Sequence, residues 1–401
     1  MATDGGTLPV FVAGALPGER VAARLTRRSR QVAEAELLVV EQAVAERRQP
    51  ECPVFGRCGG CQLQMLDAAA QLAHKQQILQ QLLEPFDVAE WLPPLTAEVW
   101  GYRHRARLAV GASREGRPVV GFRAPGSHEV VTVARCAVLD TRLQEIEEQL
   151  PYWLARLSHW RRVSELLLAV DAQGRLALSW RAAPALPAAD AARLTELAEA
   201  AGVTIDPDDL LYSVPGVTAT GGAEKLGYHF RLDDFTQVNP AVNRQLVEQV
   251  CRWLQAEPDD LVADYFCGLG NFTLALAATG ASVVGFESVP AMVARASSNA
   301  ARLGLAGRVT FETVDLFSDV RIPAGITKAL LDPPRAGARA LCEQLAKRPV
   351  ARVAYVSCNP QTLARDLQIL RQGGYQLHYA ALADMFPQTG HSEALVLLSR
   401  V

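Results

Sequence analysis

The C-terminal part of the chain predicts a doubly wound parallel α/β sheet, and three observations carry that expectation. From about Val238 onward, short β-branched runs such as "LVADYF" and "SVVGFE" alternate with stretches of helical period such as "PAMVARASSNAARLG". Strands separated by helices pair in parallel, because each crossover returns the chain to the same edge of the sheet. A glycine pair, Gly268 and Gly270, follows the first of these strands and opens a helix. The last two strands, "YQLHYAALADMF" and "ALVLLSRV", are joined by a loop rather than a helix, so an antiparallel edge hairpin is expected.

The rest of the chain reads differently. Residues 7–46 alternate short apolar runs with turn signals at Gly14, Pro17 and Gly18, which predicts a small β module. Arg20, Arg24, Arg27, Arg28 and Arg30 cluster along one of its hairpins. They suit a polyanion, but a solvated sheet edge carries the same charges. The segment "DAAAQLAHKQQILQQLLEPF" predicts an amphipathic helix with Leu72, Ile78, Leu79, Leu82 and Leu83 on its apolar face. From Trp100 to about Arg231, strands such as "HRARLAVGAS" and "ELLLAVDAQGRLALSWRA" alternate with turns, which predicts antiparallel sheet with some helix. Three domains follow: residues 1–48, 49–234 and 235–401.

With 401 residues, 49% of them apolar and 21% charged, the composition is that of a soluble globular protein. No run approaches the ~18 apolar residues of a membrane span. The start "MATDGGTLPVFVAG" lacks the basic and apolar regions of a secretory signal, so a cytoplasmic location is expected. A net charge of −3 gives no global attraction to nucleic acid, and any such contact needs a local patch.

At the sheet, Gly268 and Gly270 allow a tight turn and close backbone approach to a ligand. About 20 residues on, Glu287 ends the next strand, where it can accept from both hydroxyls of a ribose. Asp315 ends the third, where it can meet an adenine amino group. A helix cap explains each acid alone; the three strand ends together point to an adenosine-bearing ligand. No third glycine is present to cradle a pyrophosphate, which favours S-adenosylmethionine over NAD.

"LLDPPRAG" brings Asp332 and Arg335 to the same edge, and "YVSCNP" brings Cys358 there. "MFPQTGHSEALVLL" places His391 and Glu393 just ahead of the last strand. A thiol and a carboxylate beside a methyl sulfonium suit methylation of carbon 5 of uracil. That carbon becomes nucleophilic only after a thiolate has added to carbon 6. A base must then remove the carbon 5 proton so that the thiol can leave. Cys358 would be the nucleophile and Glu393 the base. Taken singly, Cys358 is equally a small buried residue and Glu393 a surface charge.

Cys52, Cys58 and Cys61 stand at C-x5-C-x2-C spacing, with Cys136 far downstream. Eight cysteines in a cytosolic chain do not suggest disulfides. Four thiolates without paired C-x2-C motifs favour a [4Fe–4S] cluster over zinc. Cys251, Cys267 and Cys342 read as packing residues.

Together, "CPVFGRCGGCQLQ", "GYRHRARLAV", "FTQVNPAVN", "DYFCGLGNFTL", "LLDPPRAG", "YVSCNPQTLARDL" and "DMFPQTGHSEALVLLSRV" resemble, in order and over nearly the whole chain, the RNA 5-methyluridine methyltransferases. The resemblance is greatest to the branch that modifies a uridine in bacterial 23S rRNA. It implies a Rossmann-like S-adenosylmethionine-dependent methyltransferase domain, a central α+β domain carrying the iron–sulfur cluster, and an N-terminal TRAM/OB-like β module. It also implies that Gln237, Phe266, Asn271, Glu287, Asp315 and Asp332 line the S-adenosylmethionine site. The same resemblance gives Cys358 as nucleophile, Glu393 as base, and Cys52, Cys58, Cys61 and Cys136 as cluster ligands. In this family the helix after the cysteine loop packs on the catalytic domain, so helix 67–86 is expected there. Two departures stand out. Asparagine is found in the family where this chain has Asp315, and the N-terminal module is shorter than a full TRAM barrel.

The strand "GYRHRARL" offers Arg103, Arg105 and Arg107 on one face for phosphates, with Tyr102 and His104 for stacking. The target uridine must leave its stack to reach Cys358. The same chemistry on tRNA or another rRNA position, and a non-catalytic RNA-binding protein on this fold, are the competing readings. A monomer is expected.

Overall fold

The computed structural model describes residues 2–3, 6–217, 223–318 and 320–400. Ala2–Thr3 (β1) pairs with Gly6–Thr7 (β2). Val10–Ala13 (β3), Arg20–Arg28 (β4) and Ala33–Gln42 (β5) form a sheet in the order β3-β5-β4, which leaves the arginine-bearing β4 as an edge. Glutamates on and beside β5 answer part of that charge: Arg20 lies 2.9 Å from Glu41 and Arg24 lies 3.7 Å from Glu36.

Helix Ala68–Leu83 (α1) starts where Asp67 accepts from the Ala70 N–H at 2.8 Å, an N-cap that satisfies an otherwise orphaned donor. Its buried residues are Gln71, Lys75, Leu79 and Leu83, spaced four apart, whereas Ile78 is exposed. The inward stripe is therefore half polar, unlike the aliphatic face of Leu72, Ile78, Leu79, Leu82 and Leu83 expected from the sequence. Leu79 and Leu83 pack beneath the C-terminal sheet, each burial contributing roughly 1.5–3 kcal/mol. Glu90–Trp91 (β6) then joins that sheet as an edge strand.

The central sheet runs β12-β11-β10-β7-β8-β9, formed by Arg105–Ala112 (β7), Pro118–Arg123 (β8), Val130–Thr132 (β9), Val163–Val170 (β10), Leu176–Ala182 (β11) and Val203–Ile205 (β12). Its neighbours are antiparallel except β11 and β12, which are parallel. Thr141–Leu154 (α2) and Ala188–Ala200 (α3) cover one face, sealing Leu108, Leu143, Leu150, Leu166 and Leu194. The hairpin of Leu210–Val217 (β13) and Ala223–Phe230 (β14) shares its core with the C-terminal helices.

The C-terminal sheet has the order β17-β16-β15-β18-β19-β21-β20-β6. Its strands are Leu261–Tyr265 (β15), Ser282–Glu287 (β16), Val309–Thr313 (β17), Lys328–Leu331 (β18), Arg352–Ser357 (β19), Tyr375–Ala383 (β20) and Glu393–Arg400 (β21). Pro240–Leu254 (α4), Thr273–Ala278 (α5), Pro290–Arg302 (α6), Arg339–Lys347 (α7) and Pro360–Gln372 (α8) flank it. Strands β15 to β19 are parallel, and β21 lies antiparallel between β19 and β20. Alternate residues feed two cores. Val262, Leu330 and Ala354 pack with α4 and α5; Ala263, Leu331 and Val353 pack with α7, α8 and α1. Among the described residues, no helix is long and apolar enough to cross a membrane.

Candidate active site

The parallel strands bring their carboxyl ends to one edge, where ligands of open α/β sheets bind. After β15 the backbone reverses through Phe266, Gly268 and Gly270, all with positive φ, at 66°, 57° and 91°. Any Cβ at Gly270 would stand 3.1 Å from Leu274 and 3.3 Å from Phe311, a tight fit, and the positive φ of the turn favours glycine there. Glu287, at the tip of β16, accepts from the N–H groups of Ser288 (2.7 Å), Val289 (2.9 Å) and Gly268 (3.2 Å). That lattice fixes its carboxylate against the glycine turn.

Asn271 exchanges amide hydrogen bonds with the fully buried Asn243 of α4, at 2.9 and 3.0 Å. Gln237 is buried, and its carbonyl accepts the Tyr212 hydroxyl at 3.1 Å. Asp315 sits past β17, where its two oxygens accept from the Phe317 N–H (3.0 Å) and the Ser318 hydroxyl (2.7 Å) of its own turn. Those contacts lower its pKa, Ser318 first. Asp332 follows β18, and its carboxyl is pushed well above the ordinary value, first by burial and then by Glu393 and Asp264.

Asp264, which the sequence did not single out, is fully buried in β15. One oxygen accepts the Thr273 hydroxyl at 2.5 Å, the other has no partner, and burial pushes the pKa to about 7. An acid four residues before the first turn glycine, Gly268, was the available signal.

Cys358 leaves β19 immediately before Asn359, which caps α8 through the Gln361 N–H at 3.2 Å. The thiol thus stands at a helix N-terminus, a setting that favours thiolate. Burial, Glu393 and Asp332 raise its pKa, while Arg335 pulls it down. The Arg335 carbonyl is tied to α8 by Asn359 and Thr362, at 3.1 and 3.2 Å, so the two loops are held together.

Glu393 opens β21. Because Ser357 pairs with Ala394 in register, Glu393 comes to the same edge as Cys358. It is 5% exposed, one carboxylate oxygen has no partner, and burial raises its pKa from 4.5 to about 7. His391 is exposed beside Phe386, with ring centroids 6.2 Å apart.

The raised Glu393 pKa has a measurable consequence for stability. Between pH 4.5 and about 7, the folded chain keeps a proton that the unfolded chain releases. The stability that this proton gives is complete below pH 4.5 and is lost as pH rises through about 7. Glu393→Gln should therefore melt with the unaltered protein at pH 5 and above it at pH 8. Equal melting temperatures at both pH values would show that the carboxyl is not proton-retaining.

"GYRHRARL" is arranged differently from the expectation of an RNA-facing strand. Tyr102 is buried, and its hydroxyl donates to the Pro387 carbonyl at 3.1 Å. Arg105 turns inward and donates to the carbonyls of Leu232 (2.8 Å) and Asp234 (2.6 Å) and to the Thr236 hydroxyl (2.8 Å). It ties the central sheet to the segment leading into α4, so both side chains are engaged within the protein. Alternation along a strand marks two faces without telling which one another part of the chain covers.

The cysteines of the central region act on one another. Cys58 is raised by burial and by Cys52, Cys61 by burial and by Cys58 and Cys52, and Cys136 to about 12 by burial, Glu147, Cys61 and Cys58. Among the described residues, no three His, Cys, Asp or Glu side chains are placed to hold one metal ion. Cys251, Cys267 and Cys342 are buried packing residues.

Residues 218–314 and 317–401 match the family described as tRNA (uracil-5-)-methyltransferase. A relative from Shewanella halifaxensis, named 23S rRNA (uracil(1939)-C(5))-methyltransferase RlmD, is 39% identical over 97% of this chain and 90% of its own length. The chain belongs to the RNA (uracil-5-)-methyltransferase family. A second member of the same name, from Alkalilimnicola ehrlichii, is 40% identical over 98% of this chain and 92% of its own length. The fold matches that of the tRNA (uracil-54, C5)-methyltransferase of Pyrococcus abyssi, solved with S-adenosyl-L-homocysteine. Its TM-score is 0.74 at 22% identity, over 97% of this chain and 95% of that one. The catalytic sheet of this family member is thus an S-adenosylmethionine-dependent methyltransferase fold.

Proposed function

We propose that the protein transfers a methyl group from S-adenosylmethionine to carbon 5 of a uridine in 23S rRNA. The observation that carries this reading is the register that brings Glu393 to the sheet edge where Cys358 follows β19. The strand ends beside them suit an adenosine-bearing ligand: Glu287 is anchored against the glycine turn, Asn271 is oriented by Asn243, and Asp332 lies between the two sites. Gln237, Phe266 and Asp315 complete the cofactor set. Bound S-adenosylmethionine supplies the methyl group. Burial, Glu393 and Asp332 hold the Cys358 thiol above its ordinary pKa, with Arg335 and the α8 N-terminus pulling the other way; once ionised, the thiolate adds to carbon 6 of the uracil. Glu393 then takes the carbon 5 proton, the ring double bond re-forms, and the thiolate leaves.

The names of the relatives favour 23S rRNA over tRNA as substrate, with the position numbered 1939 in those names as the first candidate. A cleft of about 410 Å³, lined in part by His104, Tyr212, Gln237 and Arg244, gives RNA an approach beside the cofactor residues. The β4 arginines supply a second cationic surface. In this reading the chain divides into a TRAM-like module (1–48), a central cluster-bearing domain (49–234) and the catalytic domain (235–401). It works as a cytoplasmic monomer.

Cys52, Cys58, Cys61 and Cys136 would hold a [4Fe–4S] cluster. What supports this reading is the sequence spacing, C-x5-C-x2-C with a distant fourth cysteine, which is not the paired C-x2-C pattern usual for zinc.

The test uses 23S rRNA from a strain lacking the gene. The purified protein should methylate one uridine at carbon 5, and rRNA from the parent strain should accept no further methyl group. Protein purified without oxygen should be brown and lose its colour in Cys61→Ser. Methylation of tRNA alone, or a colourless zinc-bearing protein, would overturn the corresponding part.

A further inference from the structure

The β20–β21 connection, residues 384–392, runs directly into Glu393 and is held from outside the catalytic sheet. Lys75 of α1 donates to a carboxylate oxygen of Asp384 at 2.7 Å and to the Phe386 carbonyl at 3.0 Å. The Tyr102 hydroxyl donates to the Pro387 carbonyl at 3.1 Å. Backbone N–H groups of Gln62 and Leu63, next to Cys61, donate to the Gln388 carbonyl at 2.9 and 3.0 Å. Gln71 Nε2 donates to Gln388 Oε1 at 2.9 Å, and the Gln388 N–H donates back to Gln71 Oε1 at 3.0 Å.

Gln388 has φ of +67°, a left-handed conformation that costs a side-chain-bearing residue and persists only where the surroundings impose it. Those surroundings are the contacts just named. Gln71 and Gln388 are each 3% exposed, and Gln71 Nε2 also donates to the Leu63 and Leu66 carbonyls at 3.0 and 2.8 Å. A leucine at position 71 would fill the α1 stripe, but it would strand four polar partners: two groups of the buried Gln388 and the part-buried Leu63 and Leu66 carbonyls. Packing alone does not call for these polar groups; fixing the loop does.

We propose that the Gln71–Gln388 amide pair, backed by the Lys75–Asp384 ion pair, is a positioning device that sets the Glu393 carboxylate through the loop it closes. It couples the cysteine-bearing segment to proton removal. The inference rests on the function proposed above. In the step concerned, Glu393 takes the carbon 5 proton and the C5–H electron pair becomes the C5–C6 π bond. The C6–Sγ bond breaks with its electrons on sulfur, leaving the Cys358 thiolate. No other reactant is needed. Gln71, Gln388, Lys75 and Asp384 act through Glu393 and are positioning residues.

The test follows a 23S rRNA fragment and methyl-tritiated S-adenosylmethionine through one turnover and through many. Methyl incorporation and protein-linked RNA on a denaturing gel are both recorded. Gln71→Leu and Gln388→Leu should keep single-turnover methyl incorporation within about twofold. Steady-state turnover should fall about tenfold and methylated protein–RNA adduct should accumulate. Gln388→Glu keeps an acceptor for Gln71 Nε2 and the Gln388 N–H; it should hold turnover and adduct near the unaltered level, and melting curves recorded for every variant show that each is folded. A merely structural role would lower incorporation and turnover together, with no adduct. That result, in variants whose unaltered parent is active, overturns this inference alone. Absence of methyl transfer by the unaltered protein overturns the functional reading and this inference with it.

Discussion

Cys358→Ala should abolish methyl transfer to RNA, by about ten-thousand-fold or more, with no protein–RNA adduct at any time point. Carbon 5 of uracil has no useful nucleophilicity until carbon 6 carries a sulfur, so no slower route remains for the variant to follow. The thiol sits in a partly open loop rather than the core, so its loss leaves a negligible cavity and the melting temperature should stay put. Serine is the stricter comparison. It preserves volume and polarity, yet its hydroxyl cannot ionise near neutral pH. Appreciable methylation by either variant would remove Cys358 from the chemistry and leave it a residue that happens to end a strand.

Glu393→Gln has a different signature. Addition and methyl transfer precede proton removal, so the variant should take up about one methyl per protein and then stop, with enzyme joined to methylated RNA. Turnover should fall by a factor on the order of 100 to 10,000, the usual worth of a positioned base. In the unaltered protein, turnover should climb with pH and level off near the pKa of about 7, because only the ionised carboxyl can accept the proton. Asp332 lies close enough to titrate with it, so the profile belongs to the pair rather than to one side chain. A Glu393→Gln variant that releases product normally would assign the proton to another acceptor.

The legible parts of the chain were those marked by local chemistry. Strand ends announce themselves through Gly268, the Asp-Pro-Pro of 332–334 and the Asn-Pro of 359–360, so the edge that gathers Glu287, Asp332, Cys358 and Glu393 could be located from residues alone. Burial by a distant segment left no such mark. Arg105 reads as a cation on a strand, but it meets carbonyls more than a hundred residues away. Gln71 and Lys75 read as the wet side of α1, but their partners lie more than three hundred positions downstream. Asp264 escaped notice because a carboxyl inside an apolar strand looks like the start of a turn. Long-range partners decide which face of an element is inside, and one chain carries no local record of them.

The reversed strand β21 has a consequence for how this chemistry could arise. Were it to run the same way as β19, its first residue would lie at the far end of the sheet, roughly 20 Å from the thiol for a strand of six residues. Travel in the opposite direction lets one strand finish and its neighbour begin at a shared rim. Two reacting groups from separate parts of the chain are thereby set side by side by main-chain ladders, which side-chain substitution does not erase. The tips can be exchanged for other chemistries while their spacing is inherited from topology.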